Sequence, residues 1–189
     1  KSIMILSDTH FPYSKKEFSV PSNLDIYGTM NTADRSVEAL DTALRRRFEF
    51  KEMMPDYSVI QEETVGAVKL SEVLEKINQR IELLIDRDHT IGHSYFVGVD
   101  TEQKLANAFN NKIVPLLQEY FYGDYGKIGL VLGKGFVEKV KNENITFAKF
   151  EYENANDFKT PSFVLKGVDE TSVMEAVQLL LGDPINKEE

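Results

Sequence analysis

Between Ser71 and Phe121 the apolar residues fall almost entirely at helical spacing, and this pattern limits the middle of the chain to a small helical subdomain. Val73, Leu74, Ile77, Ile81, Leu84 and Ile85 make one apolar stripe behind Ser71, which reads as its cap. Leu105, Phe109, Ile113, Leu116, Leu117 and Phe121 make a second. Pro115 sits inside the second run. It removes a backbone donor and crowds the preceding turn, so a kink or restart is expected there. Acidic positions from Glu72 to Asp86 read as a solvated face over the core stripe. The intervening Ile91-Gly92-His93-Ser94-Tyr95-Phe96 reads as a short strand-like or turn segment.

The flanks have a different grain. Ile3-Met4-Ile5-Leu6 is a short β-like run, and Asn23 to Met30 reads as a strand ending at the polar Asn31. A helix capped by Ser36 follows, with Val37, Leu40 and Leu44 at helical spacing and Arg45-Arg46-Arg47 in its last turn, where the helix dipole favours cations. Phe48, Phe50 and Met53 then alternate as a strand would, closed by Pro55. Strand, polar loop, helix and strand in that order make a βαβ unit of an α/β fold. Downstream, Gly123 to Gly135 looks like a boundary. Two strands are expected over 146–152 and 162–166, then a closing helix. Its signals are the Ser172 to Glu175 capping-box pattern, the apolar Val173, Val177 and Leu180, and the stops Gly182 and Pro184. The expected division is therefore an α/β segment over 1–58, a helical subdomain over 59–125 and a small α/β extension over 126–189.

A net charge of -9 argues against this chain being a main nucleic-acid-binding surface. No apolar run approaches the roughly 20 residues that cross a bilayer, so no membrane partner is expected. The start, Lys1-Ser2-Ile3-Met4, lacks the pattern of a signal peptide, and there is no cysteine; a cytoplasmic location suits both. Opening on a residue other than Met, directly into an apolar run, suggests a piece of a longer protein.

Chemistry concentrates between Gly28 and Phe48. A buried strand ending in Asn31 would place a neutral amide at the carboxyl edge of a sheet, where α/β proteins bind ligands. An amide can donate to a phosphate oxygen and accept from a water at once, and so orient an attacking water. Arg45, Arg46 and Arg47 repel one another unless anions share their surroundings, and a phosphate on a neighbouring subunit is a natural partner. Taken singly, an Asn at a strand end is more often a turn residue, and a basic last turn more often a solvated helix end. Taken together, in this order, they mark an α/β domain with a phosphate site.

Met30-Asn31-Thr32-Ala33-Asp34-Arg35-Ser36, with Leu40 to Phe48 after it, resembles the signature of the McrB family, the AAA+ GTPase subunits of modified-cytosine-specific restriction systems. Val20-Pro21-Ser22-Asn23-Leu24 resembles the family's approach to that strand. Ile91 to Phe96 and Ile113 to Phe121 resemble its lid, so the likeness runs from Phe11 to about Gly123. The resemblance implies the C-terminal part of an AAA+ P-loop NTPase core, a helical lid and an α/β extension of unassigned role. It implies Asn31 as the sensor residue near the γ-phosphate, Asp34 organising that loop, and Arg35 meeting a phosphate or a neighbouring carboxylate. Arg46 and Arg47 become candidates for an arginine finger reaching the adjacent protomer, with the choice between them open. His93 and Ser94 would lie in the lid near the nucleotide. GTP with Mg2+, a ring (a hexamer in the family), a McrC-like nuclease subunit and modified DNA read by an N-terminal domain all follow from the resemblance alone.

The departures matter too. There is no G-x-x-x-x-G-K-[ST] loop, and the paired acids that hold magnesium are expected upstream of Lys1. GTP and Mg2+ would thus be held mainly by residues outside this chain, which by itself is expected to be inactive. Gly129-Leu130-Val131-Leu132-Gly133-Lys134-Gly135 is one residue short of a phosphate loop and lies on the wrong side of the sensor; it reads as a turn. His89 and His93 are four apart, but Gly92 breaks a helix there, and no metal site is expected. Phe147, Phe150 and Tyr152 read as sheet residues rather than a base-stacking platform, given Glu151 and Glu153 beside them. Two rival readings remain: an ATP-dependent AAA+ remodelling motor of the MoxR or dynein-like type, and a non-catalytic interaction domain.

Overall fold

The computed structural model describes residues 23–30, 46–140, 148–151 and 162–182, together with the backbone of 9–10 and 17–18. The chain divides into two compact units, Lys1–Met53 and Met54–Glu189.

In the first unit a short antiparallel pair joins β1 (Thr9–His10) to β2 (Glu17–Phe18), with Thr9 opposite Phe18. Residues 23–30 and 48–53, expected as strands, make no ladder with any described neighbour. A buried strand needs ladder partners for its backbone groups and apolar cover on its faces. Here Leu24, Ile26, Tyr27, Phe50 and Met53 all stand exposed. The expected strand at Ile3–Leu6 and the helix from Ser36 to Arg45 lie outside the described residues. What the structure shows is a chain that mixes helices and strands.

The second unit is built on that subdomain. A tight hairpin, β3 (Thr64–Val65) and β4 (Val68–Lys69), turns at Gly66, whose φ of 57° belongs to the left-handed region that glycine adopts freely. It feeds α1 (Leu70–Leu84), which starts one residue before the expected Ser71 cap and has no side-chain cap. Val73, Leu74, Ile77 and Ile81 are fully buried along it, as the spacing predicts. Thr101 caps α2 (Glu102–Ala108) by accepting from the Lys104 amide. A π-helical turn, Phe109–Ile113, follows, and then α3 (Val114–Tyr120). Pro115 falls in the first turn of α3, where its missing N–H costs least. The wider π turn before it absorbs the misfit that Pro115 would otherwise impose on a straight helix.

The expected turn over Gly129 to Gly135 is mostly helix instead. The Asp124 side chain accepts from the Lys127 amide and starts α4 (Tyr125–Leu132), whose Ile128, Val131 and Leu132 are buried. Core burial outweighs the poor helix propensity of Gly126 and Gly129. Beyond it, β5 (Val137–Val140) pairs antiparallel with β6 (Ser162–Leu165), Val137 opposite Leu165. The strand expected over 146–152 is not seen at residues 148–151, where Phe150 is exposed; Phe147 and Tyr152 lie outside the described residues. α5 (Val173–Leu181) closes the unit and stops at Gly182 in the left-handed region, as expected.

One apolar core runs through all of this, from Ile60 to Leu180. Phe96, Phe109 and Phe136 stack through it with ring centroids 5.9 and 4.5 Å apart. They tie the residues after α1, the π turn and the approach to β5 into one body. Two polar devices reinforce it. The Arg80 guanidinium of α1 donates to the Val131 carbonyl at 2.6 Å and to the Leu180 carbonyl at 2.7 Å, so it serves the C-terminal ends of α4 and α5 together. The Asn110 amide, carried by the π turn, donates to the Val168 carbonyl and accepts from the Val168 amide.

Ser172 does not cap α5. Asp169 engages it instead: the carboxylate accepts from the hydroxyls of Thr171 and Ser172 at 2.7 and 2.8 Å and from both amides. The Thr171 hydroxyl, then Ser172, hold the Asp169 carboxyl down at about 2 against an ordinary 3.8. A depressed folded value means that the turn's contribution is complete above the unfolded value, and is lost as pH falls from 3.8 through about 2. An NMR titration of the Asp169 carboxyl carbon should give a midpoint near the lower value. It should move up toward the ordinary value in the double variant Thr171→Ala, Ser172→Ala. A midpoint already at the ordinary value in the unmodified protein would refute this account of the turn.

Candidate functional site

Local structure holds the Ile91–Phe96 segment from three sides. Ile91 and Phe96 are buried and anchor its ends, while His93–Tyr95 forms a single 3-10 turn between them. His93 is half-buried and Ser94 is exposed. The His93 Nδ1 accepts from the Asp56 backbone N–H at 3.1 Å. A ring nitrogen that accepts carries no proton, so this bond selects the neutral tautomer with hydrogen on Nε2. Asp56 is itself fixed. Its carboxylate accepts from the Ser58 hydroxyl at 2.6 Å and the Ser58 amide at 3.0 Å, starting the 3-10 turn Tyr57–Ile60. Those bonds, the hydroxyl's first, hold the Asp56 carboxyl below its usual range.

Beneath the segment lies Asn78, the one buried polar residue among those described, 2% exposed. Its Oδ1 accepts from the Ile91 amide at 2.7 Å, and its Nδ2 donates to the Ile91 carbonyl at 2.9 Å and to the Tyr57 hydroxyl at 3.1 Å. A sequence signal for it existed. Asn78 stands four residues after Leu74 and three before Ile81, a polar side chain on the apolar stripe of α1.

On the outer side, an open groove of about 530 Å³ runs between the 3-10 turn and the elbow at Pro115. Ser94, Tyr95, Asn111, Lys112 and Glu119 line it together with Pro115 and Leu116. The groove therefore offers hydroxyl, amide, cationic and anionic groups beside apolar ones. His89 stands apart from His93. Its Nδ1 meets Asp86 at 2.6 Å and its ring packs edge-on to Tyr120, with centroids 4.9 Å apart. The two histidines thus have separate partners, and no three potential metal ligands come together among the described residues.

Other candidate residues fall elsewhere. Arg46 and Arg47 lie in an exposed turn of the first unit. Asn31, Asp34 and Arg35 lie outside the described residues, as does Arg45. Among the described residues named from sequence, His93 and Ser94 share one 3-10 turn in the second unit, and Arg46 and Arg47 share a turn in the first.

Comparison with known proteins bears on the same region. Residues 69–129 match the family model of the McrB alpha-helical lid domain, from the residue before α1 into the middle of α4. The chain is also similar to the Type IV methyl-directed restriction enzyme EcoKMcrB subunit of Escherichia coli (strain K12), 34% identical over 134 residues. That alignment takes in 61% of this chain and 29% of the relative, so the chain spans less than a third of the relative's length. The helical order, the Pro115 elbow and the seated Ile91–Phe96 segment all lie within the matched residues, so the chain carries a helical subdomain similar to the McrB alpha-helical lid domain.

Proposed function

We propose that this chain is the sensor, arginine and lid portion of a GTP-hydrolysing AAA+ motor subunit that drives restriction of modified DNA. The observation that carries the reading is the lid at residues 69–129 joined to a 34% likeness to a restriction-enzyme subunit. In this reading residues 1–58 complete an AAA+ α/β core, and Asn31 orients the attacking water beside the γ-phosphate. Asp34 and Arg35 order that loop, and Arg46 or Arg47 reaches the nucleotide of the next subunit in a ring. His93 and Ser94 face the nucleotide from the lid. The Nε2–H that His93 presents is a donor, which suits a phosphate or ribose oxygen.

The chain has no phosphate loop in its sequence, and no described cluster of acids suits magnesium. On this reading nucleotide and Mg2+ are gripped by other parts of the protein, and no step is assigned to the metal here. A nuclease subunit of the McrC kind is the proposed partner, and a separate N-terminal domain would read the DNA.

Steady-state hydrolysis of GTP and ATP by the intact protein, with and without its nuclease partner, tests the proposal. GTP turnover that exceeds ATP turnover and rises with the partner is the expected result. Turnover of ATP alone would move the protein to another AAA+ class. A folded protein that hydrolyses neither would leave an interaction domain.

A further inference from the structure

Five links close a ring around the His93-Ser94 segment. The Asp56 amide donates to His93, and Asp56 is bonded in sequence to Tyr57. The Tyr57 hydroxyl accepts from Asn78, Asn78 clasps both backbone groups of Ile91, and Ile91 lies two residues from His93. Every polar atom of the Asn78 amide is engaged in it, and its position on the core stripe would otherwise be filled by an aliphatic residue. A buried amide with all its bonds made holds its partners in one register, because any shift leaves a donor or acceptor unpaired away from water.

We infer that Asn78 is a positioning residue: through Ile91 and Tyr57 it sets the Nε2–H tautomer and the orientation of His93 in the lid. Asn78 is buried and makes its contacts inward, so it acts through His93 and not on a ligand. Tyr57 is the second member of the device. Its hydroxyl ties the turn that carries the Asp56 donor to the same amide that fixes Ile91. The effect on turnover rests on the proposed nucleotide-facing role of His93; the effect on the His93 ring does not.

Long-range proton–nitrogen NMR of the 189-residue chain at neutral pH reads the tautomer directly. The unmodified chain should show His93 protonated on Nε2. Tyr57→Phe, which keeps the ring and removes only the hydroxyl, and Asn78→Asp, which keeps the acceptor for Ile91 and removes both donors, should each shift His93 toward a mixture of tautomers. In the intact protein the same two variants should raise the nucleotide KM about tenfold while kcat changes less than about twofold, the scale expected when a contacting group is misplaced by a fraction of an ångström. An unaltered Nε2–H pattern in both folded variants would overturn the inference. An altered pattern, together with a His93→Ala protein whose KM is unchanged, would leave Asn78 in its role and sink only the nucleotide-facing reading of His93.

Discussion

GTP turnover should fall about a thousandfold when Arg46 and Arg47 are both replaced by Ala in the intact protein, the lower end of what an arginine finger contributes to transition-state charge. Both residues stand in an exposed turn, and neither has an ion-pair partner among the described residues. Two cations side by side in solvent repel one another, and on the proposed reading a phosphate of the neighbouring subunit would relieve that repulsion. If Asn31 is the proposed sensor, Asn31→Ala should cost a comparable loss by a different route, since the attacking water would then lose its orienting amide. Rings assembled from the two defective subunits together separate the roles. If the arginines act on the neighbouring nucleotide, subunits lacking Asn31 still supply them, and mixing should restore a measurable part of turnover. Wild-type turnover by the double arginine variant would remove both residues from the mechanism.

A second large effect is expected at Gly135. A Cβ built there would sit 2.5 Å from the Ala176 Cα and 2.7 Å from its Cβ, closer than real contacts allow. The obstacle is helix backbone in α5, which cannot swing aside as a long side chain would. Gly135→Ala should therefore push α5 off the turn that precedes β5 and destabilise the second unit by about 3 kcal/mol, at the upper end of overpacking costs. Urea unfolding of the chain checks this. Gly167→Ala serves as the control, because a Cβ there would meet nothing closer than 4.0 Å and should change stability by less than about 0.5 kcal/mol. Equal midpoints for the two variants would show that α5 relaxes freely and that the close approach has no energetic weight.

In the sequence Gly135 reads only as the end of a glycine-rich turn, and the contrast shows what local patterns carry. Stripes with a single answer were legible. The apolar spacing of α1 predicted its buried face, Pro115 predicted a restart, and Gly182 predicted the end of α5. Each depends on residues within a turn or two. Features set by distant partners were not legible. The partner of β6 is Val137 to Val140, a run with two charged residues in its centre that alternation does not mark as a strand. The helix α4 contains Gly126 and Gly129, and only its burial against the core makes it helical. Ser71 and Ser172 both look like caps, yet Ser71 lies inside α1 and Ser172 is held by Asp169. In the candidate site, His93 and Ser94 came from a resemblance. The residues that seat them, Asn78 and Tyr57, are 15 and 36 positions earlier in the chain and needed coordinates to find. Residues 23–30 and 48–53 have strand-like composition without strand neighbours among the described residues, so their pattern describes what they could pair with.

The two bonds of Arg80 set a limit on how this lid could be traded between proteins. The stretch shared with the family ends at residue 129, yet the Arg80 guanidinium closes on carbonyls at 131 and 180. A recombination event that cut at the family boundary would strand a cation beside missing acceptors and strip the far wall from the core. The structural unit is therefore longer than the matched stretch. A graft of this lid would have to carry the helix ending at Leu181 along with it, or replace Arg80 in the same step.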